Sequence, residues 1–304
     1  MRLCLLLLPL LACAHAPEPA PAPLTAPAAP TRPAPVEPVC VNHGLLPDSL
    51  FVKGSVILLG EFHGTRQSQH ALDDVACQGL VLGHEVRVVL EIPREEMTRL
   101  DAFLAGGRRE ALLAGDFWRR DYQDGRSSQA MLGVLERVRA MRGAGLPVSV
   151  VLMDSVTPGA DRDAFMAEQV VAARERSPQA VLVVLVGNIH ARTRLSLPRS
   201  MAWRVKQAGA PLTSVKLEYG DGVAWMCGAA SADSCGEHAL HGGENGPPRP
   251  FEADANPTAS GFDGRLYLGP MELSPPAVSD RTPASSPSTA SPPPGASPAG
   301  PPRP

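Results

Sequence analysis

The residues best suited to chemistry come in short clusters, each at the end of an apolar run. Glu61 and His63 lie in Gly60-Glu61-Phe62-His63-Gly64-Thr65, and Glu91 in Leu90-Glu91-Ile92-Pro93. Asp154 follows in Met153-Asp154-Ser155, and Asn188, His190 and Arg192 in Gly187-Asn188-Ile189-His190-Ala191-Arg192. Histidines among carboxylates suit two kinds of chemistry. A histidine serves as general base toward water. Alternatively, His63, His190, Glu61 and Glu91 together suit a divalent ion with an open water position. Glu61 and His63 are two residues apart, so extended backbone points them the same way. Gly60, Gly64 and Gly187 allow sharp turns beside them. Singly, each of these residues has a plainer role as a helix cap, a loop solvator or a packed histidine. The recurrence of the pattern at successive run ends argues for one shared site. No Gly-x-Ser-x-Gly or Cys/His nucleophile signature is present, which argues against a covalent mechanism, and no Cys-x-x-Cys or Cys/His zinc spacing occurs.

The runs that carry these clusters are Val56 to Leu59, Val86 to Leu90, Val148 to Met153 and Val181 to Val186. They are nearly continuous rather than alternating, the mark of strands covered on both faces. Segments with helical spacing lie between them, over 68–82, 128–142 and 161–176. This alternation predicts an α/β fold with a largely parallel central sheet and flanking helices. Ligands bind such sheets outside the carboxyl ends of the strands, where the clusters would converge. The helix opening at Arg162 runs antiparallel to the strand after it, so Arg162 is expected at that same edge. There it would pair with a carboxylate or bind an anionic substrate group. The plainer alternative is a surface Arg balanced by Asp161 and Asp163. The stretch Ser214 to Cys227 reads as a C-terminal hairpin turning at Gly220-Asp221-Gly222, and Leu266 to Leu268 as a final edge strand.

The 304-residue chain has 33 prolines, most of them before residue 40 or after residue 272. Residues 40–272 therefore form the folded domain, of a size that buries roughly 70% of its unfolded surface. Residues 1–12 read as a signal peptide: Arg2 precedes an apolar run, Leu3 to Leu11, too short to span a bilayer. Leu10-Leu11-Ala12-Cys13 resembles a bacterial lipobox, which implies lipidation at Cys13 and anchoring in the cell envelope. Ala14 after the cysteine favours the outer membrane. Cleavage at Ala14-His15-Ala16 is the alternative. Residues 13–39 read as a stiff Pro/Ala-rich tether, and residues 273–304 as a disordered Pro/Ser-rich tail. Four cysteines remain in the body, an even number that in an exported chain suggests two disulfides. Cys227–Cys235 is the local pair, which leaves Cys40–Cys77; buried free thiols are the alternative. Net charge is −3 with no basic run, which argues against nucleic-acid binding.

GEFHGT at 60–65, LEIP at 90–93 and GNIHAR at 187–192 together resemble the superfamily of erythromycin esterases, ChaN haem-binding lipoproteins and Tiki-type metalloproteases. The Arg162 to Glu168 helix resembles the family's Arg-plus-Met-Ala helix. The Trp118, Tyr122 and Asp124-Gly125-Arg126-Ser127-Ser128 stretch resembles its helical insert. The resemblance covers about residues 50–225. It assigns Glu61, His63, Glu91 and His190 to the site, and the short Glu-x-His spacing is the ChaN-like form. Three functions stay open: a His/Glu-dependent or metal-dependent hydrolase acting on a small-molecule or peptide substrate, a haem- or iron-binding lipoprotein, and a non-catalytic envelope interaction module. In the first, Asp154, Arg162, Asn188 and Arg192 would contact the substrate or support the catalytic residues. In the second, His63 would be an axial ligand.

Overall fold

The computed structural model describes residues 39–278 except 158, 160, 195–198 and 244. The expected signal peptide, Cys13 and nearly all of the tether lie outside the described residues. The elements in chain order are β1 (Val56–Glu61), α1 (Gln67–Val81), β2 (Val86–Pro93), α2 (Met97–Leu104), α3 (Arg109–Leu112), α4 (Asp116–Arg119), α5 (Gln129–Gly143), β3 (Val148–Asp154) and α6 (Arg162–Arg176). There follow β4 (Val181–Gly187), α7 (Asn188–Ala191), α8 (Met201–Gln207), β5 (Leu212–Cys227), β6 (Cys235–Leu240), β7 (Arg249–Ala253), α9 (Pro257–Ser260) and β8 (Gly264–Met271).

Eight strands form one sheet in the order β3-β2-β4-β1-β5-β8-β7, with β6 paired to β5. All pairings are parallel except β5–β6 and β7–β8. The central strands divide their side chains by alternation. Ile57, Leu59, Val183 and Leu185 join one buried cluster with Leu72, Leu132 and Leu135 of α1 and α5. Val56, Leu58, Leu182 and Val184 join a second with Val170 and Val205 of α6 and α8. Each continuous apolar run thus serves two helix layers, as parallel strands require. Side-chain caps start three of the helices. Ser128, Asp161 and Ser200 accept from the N–H groups of Met131, Ala164 and Trp203 at the heads of α5, α6 and α8. Such a cap stabilises by about 1 kcal/mol. The mid-domain insert comprises α2 to α4 and the irregular segment that follows them up to α5. Both cysteine pairs are bonded: Cys40–Cys77 ties the leading segment to α1, and Cys227–Cys235 joins the ends of β5 and β6.

Three expectations are corrected. The chain does not turn at Gly220-Asp221-Gly222: β5 runs straight through, and the hairpin turns later, between Cys227 and Cys235. A two-residue hairpin turn needs positive φ, which none of these residues has. Gly220 and Gly222 instead sit at register shifts against β8, where an added Cβ would run into Asn245 and Met271 respectively. Second, Leu266–Leu268 is not an edge strand. It lies within β8, between β5 and β7, because β7 pairs outside it. Third, residues 273–278 belong to the domain rather than to the tail. Leu273 bridges Thr65, Pro276 bridges Ser128, and buried Ser274 accepts from Ala130 N–H at 3.0 Å. A Pro-rich composition does not prevent order where an exposed helix head and turn supply backbone partners.

Candidate active site

β1, β2, β3 and β4 all end at one edge of the sheet, and their last residues are Glu61, Pro93 (after Glu91), Asp154 and Gly187. The chain order reverses around β4 and β1, so the crevice between them is a topological switch point.

The turn after β1 is held from several sides. Gly64 takes φ +74°, and its carbonyl accepts from Trp225 N–H at 3.0 Å and Ser274 N–H at 2.9 Å. Below it runs a buried hydroxyl chain: Thr65 Oγ1 donates to Phe62 O at 3.2 Å, Thr65 Oγ1 to Ser68 Oγ is 2.8 Å, and Ser68 Oγ to Tyr219 Oη is 2.7 Å. Burial, aided by the Glu61 charge, pushes the Tyr219 phenol well above its ordinary value. The turn thereby fixes the Glu61–His63 pair. Glu61 Oε1 lies 2.9 Å from His63 Nδ1, and Glu61 Oε2 accepts from Gln69 Nε2 at 3.0 Å. A carboxylate only accepts, so Nδ1 carries a proton and Nε2 is the reactive nitrogen. Nε2 faces Glu91 Oε2 at 3.7 Å. Burial disfavours the imidazolium, but the charges of Glu91 and Glu61 outweigh it and hold His63 above its ordinary value.

The second half of the site is an arginine-carboxylate network. Arg162 grips Asp154 with two prongs, Nε to Oδ1 at 2.9 Å and Nη2 to Oδ2 at 2.6 Å, and Nη2 also reaches Glu91 Oε1 at 2.6 Å. Arg126 adds Nη1 to Asp154 Oδ2 at 2.8 Å and to Glu91 Oε1 at 3.3 Å, while its other nitrogens hold Asp124. Glu91 Oε2 accepts from Gly187 N–H at 2.8 Å, which ties β2 to the end of β4. Burial would raise the Glu91 carboxyl, but His63, Arg126 and Arg162 overcome it and hold Glu91 far below the carboxylate range. Arg162 Nη1 lies 3.2 Å from His190 Nε2. Arginine has only donors, so Nε2 presents its lone pair, and Nδ1–H donates to Asp163 Oδ1 at 2.9 Å. Asp163 also accepts from Met201 N–H at 2.6 Å. Burial opposes its charge, but the His190 bond prevails and lowers it.

These groups surround a cavity of about 400 Å³. Glu61, His63, Asp124, Asn188 and His190 supply its polar lining, and Phe62, Tyr122, Ile189 and Met226 its apolar walls. Ile189 is 63% exposed although it sits between two site residues. At the mouth, Tyr122 Oη donates to Ala229 O at 3.2 Å, so the insert closes against the β5–β6 hairpin.

Most of the residues expected from the sequence come together here, but not all in the same way. Glu91 and Asp154 are each 3% exposed and form the floor beneath the cavity rather than its lining. Arg162 joins them. Arg192 does not: its guanidinium lies over the Phe262 ring at 5.9 Å, on the α6–α8 side. The sequence reading missed Arg126, Asp124, Asp163, Gln69 and Tyr219. Asp163 was visible only as a charge beside Arg162, and Arg126 only as part of the resembling insert. Nothing local distinguishes Gln69 from other polar residues of α1.

The expected ligand set for a metal ion does not fit this arrangement. Both nitrogens of His190, both oxygens of Glu91 and both oxygens of Glu61 already have partners. Two guanidinium groups stand where a cation would be drawn. Among the described residues no group of three or more His, Cys, Asp or Glu is arranged to hold an ion. A haem iron fits no better. His63, the expected axial ligand, has Glu61 on one nitrogen and faces Glu91 with the other.

No family model matches the chain, and no curated protein does. Solved structures do. A mutant of the erythromycin esterase EreC in its open conformation superposes with a TM-score of 0.54 at 10% identity, over 74% of this chain and 93% of that one. A crystal structure of a Bacillus cereus protein gives 0.48 at 11% identity, over 75% and 91%. At such identity the likeness is one of fold: the domain has an erythromycin-esterase-like α/β architecture.

Proposed function

We propose that the protein is a hydrolase that cleaves an ester-type bond without a metal, with His63 as the general base. The observation that carries this reading is the Glu61–His63 pair, 2.9 Å apart and opening on the cavity. Glu61 fixes the Nδ1–H tautomer and stabilises the imidazolium once Nε2 has taken a proton from water, the role a carboxylate plays behind a catalytic histidine. Gln69 and the Tyr219 hydroxyl chain hold Glu61 and the turn, so little reorganisation is needed. Glu91, with its charge balanced by two arginines, adds a negative field at Nε2 that strengthens the base. His190 has its Nε2 turned to Arg162 and serves to position that arginine. The apolar walls suit a substrate whose scissile bond is flanked by a hydrocarbon group.

The erythromycin-esterase-like fold is compatible with this reading but does not choose the substrate. The chain would work in the bacterial envelope, tethered through lipid at Cys13. Partition of the full-length protein into detergent, lost in Cys13→Ala, tests the anchor. The activity is tested by pH-stat titration of an ester panel in the presence of chelator. Turnover that survives chelation is expected; turnover that requires added metal would contradict the mechanism.

A further inference from the structure

Attack of water on a carboxylic ester moves the carbonyl electron pair onto oxygen. Catalysis of that step needs a hydrogen-bond donor where the negative charge develops. Among the described residues, the side chains that bring hydrogen-bonding groups to the cavity at His63 are Glu61, His63, Tyr122, Asp124, Asn188 and His190. Ionised Glu61 and Asp124 only accept. The Nδ1–H groups of His63 and His190 are taken by Glu61 and Asp163, and Tyr122 donates to Ala229 O. That leaves Asn188.

Asn188 opens α7 directly after β4. Its side-chain amide makes no hydrogen bond among the described residues, and Oδ1 is buried without a donor. An added Cβ on Gly60 would lie 2.9 Å from Oδ1, so the oxygen packs against the β1 backbone where Gly60 leaves it room. The residue as a whole is half-buried and lines the cavity, so the accessible end of the amide is Nδ2. The catalytic base is close by. An added Cβ on Gly187 would lie 3.1 Å from His63 Nε2, so the reactive nitrogen sits against the residue preceding Asn188. A buried oxygen without a partner weakens the fold. A function for the other end of the amide accounts for its being there.

Building on the hydrolase reading, we propose that Asn188 Nδ2–H binds the oxyanion formed when water attacks a neutral carboxylic ester in this cavity. His63 Nε2 takes a proton from water as the water oxygen bonds to the acyl carbon, and the carbonyl oxygen takes the electron pair and the Asn188 hydrogen bond. The carbonyl then re-forms, the bond to the alcohol oxygen breaks, and His63 returns the proton to that oxygen, which yields acid and alcohol. The substrate is neutral because the described lining residues include Glu61 and Asp124 but no Lys or Arg, so an anionic ester is repelled.

The parent, Asn188→Ala and the shape-preserving Asn188→Leu are compared on the best ester of the panel. Loss of one oxyanion donor lowers kcat by about 10²–10³-fold, so both variants should show that loss with KM within threefold of the parent and no fall in melting temperature. Binding is read separately by calorimetry at pH 6, where His63 carries the proton it holds in the intermediate. The probes are phenyl propylphosphonate, whose tetrahedral P–O⁻ mimics the intermediate, and butyranilide, which mimics the bound ester. The phosphonate should bind at least tenfold more weakly to both variants, and butyranilide within twofold of the parent. An active parent whose Asn188→Ala and Asn188→Leu variants keep kcat within threefold would overturn the proposal and leave the hydrolase reading standing. Equal weakening of both probes would reduce Asn188 to a wall residue and overturn it too. A parent that turns over no ester of the panel would refute the hydrolase reading, and the role of Asn188 with it.

Discussion

Arg162 is the strongest test of the network under the cavity. Removing it in Arg162→Ala deletes both of its bonds to Asp154 and the 2.6 Å bond to Glu91. A charge-assisted bond is worth about 1.5–3 kcal/mol, and breaking one partner of a buried pair costs about 3–5 kcal/mol. Two features reduce the loss here. Arg126 remains on both carboxylates, and the Arg162 side chain is 30% exposed, so water replaces part of what is lost. The expected cost is about 3 kcal/mol, or roughly 6–12 °C in melting temperature for a domain of this size. Arg162→Lys keeps the charge but loses the two-pronged grip, and should cost about half as much. The pH dependence has a definite sign. The Glu91 carboxyl is depressed in the folded state, so its stabilisation is complete above its unfolded value, about 4.3. It is lost as pH falls through the folded value. In Arg162→Ala the folded value rises toward the unfolded one, so both proteins should begin losing this stability near the same unfolded value, while the variant should lose less in total and finish losing it at higher pH than the parent. Urea denaturation of parent, Arg162→Ala and Arg162→Lys between pH 2 and 8 measures all of this. A cost for Arg162→Ala below about 0.5 kcal/mol at pH 7 would refute the network as a structural element.

Three further outcomes follow from the site. Because His63 must be unprotonated to act and is held above the ordinary imidazole value, kcat/KM should fall on the acid side with an apparent pKa above 6.5; Glu61→Gln should move that limb to lower pH. Gln69→Leu leaves Glu61 Oε2 without its donor in a buried place, and should lower kcat more than KM while costing about 1–3 kcal/mol of stability. Replacing both Cys227 and Cys235 by serine opens a small loop and should cost about 2–3 kcal/mol by denaturant unfolding, with weakened substrate binding because Cys227 lines the cavity mouth.

Much of this architecture was legible because parallel strands buried on both faces leave continuous apolar runs. The strand Val181–Gly187 is fully buried and reads as such from its residues alone. The helix over 161–176 was legible because Asp161 caps it, and that in turn placed Arg162. The hairpin turn failed for a reason that sequence does not carry. Gly220 and Gly222 look like turn residues but are there for close approach of other chain segments. The floor of the site was half visible. Carboxylates at strand ends stand out, while Arg126 comes from an irregular segment whose only sequence signal was family likeness. Gln69 and Tyr219 act by long-range hydrogen bonds to β1 and α1, and no local pattern encodes such contacts.

The central claim is that His63, oriented by Glu61, is the base that activates water. The most direct measurement is the steady-state hydrolysis of the best ester by chelator-treated parent and His63→Ala, with circular dichroism and melting curves to establish that both are folded. Loss of about 10²–10⁴-fold in kcat/KM with an intact fold is the predicted result. Activity in His63→Ala within twofold of the parent would contradict it.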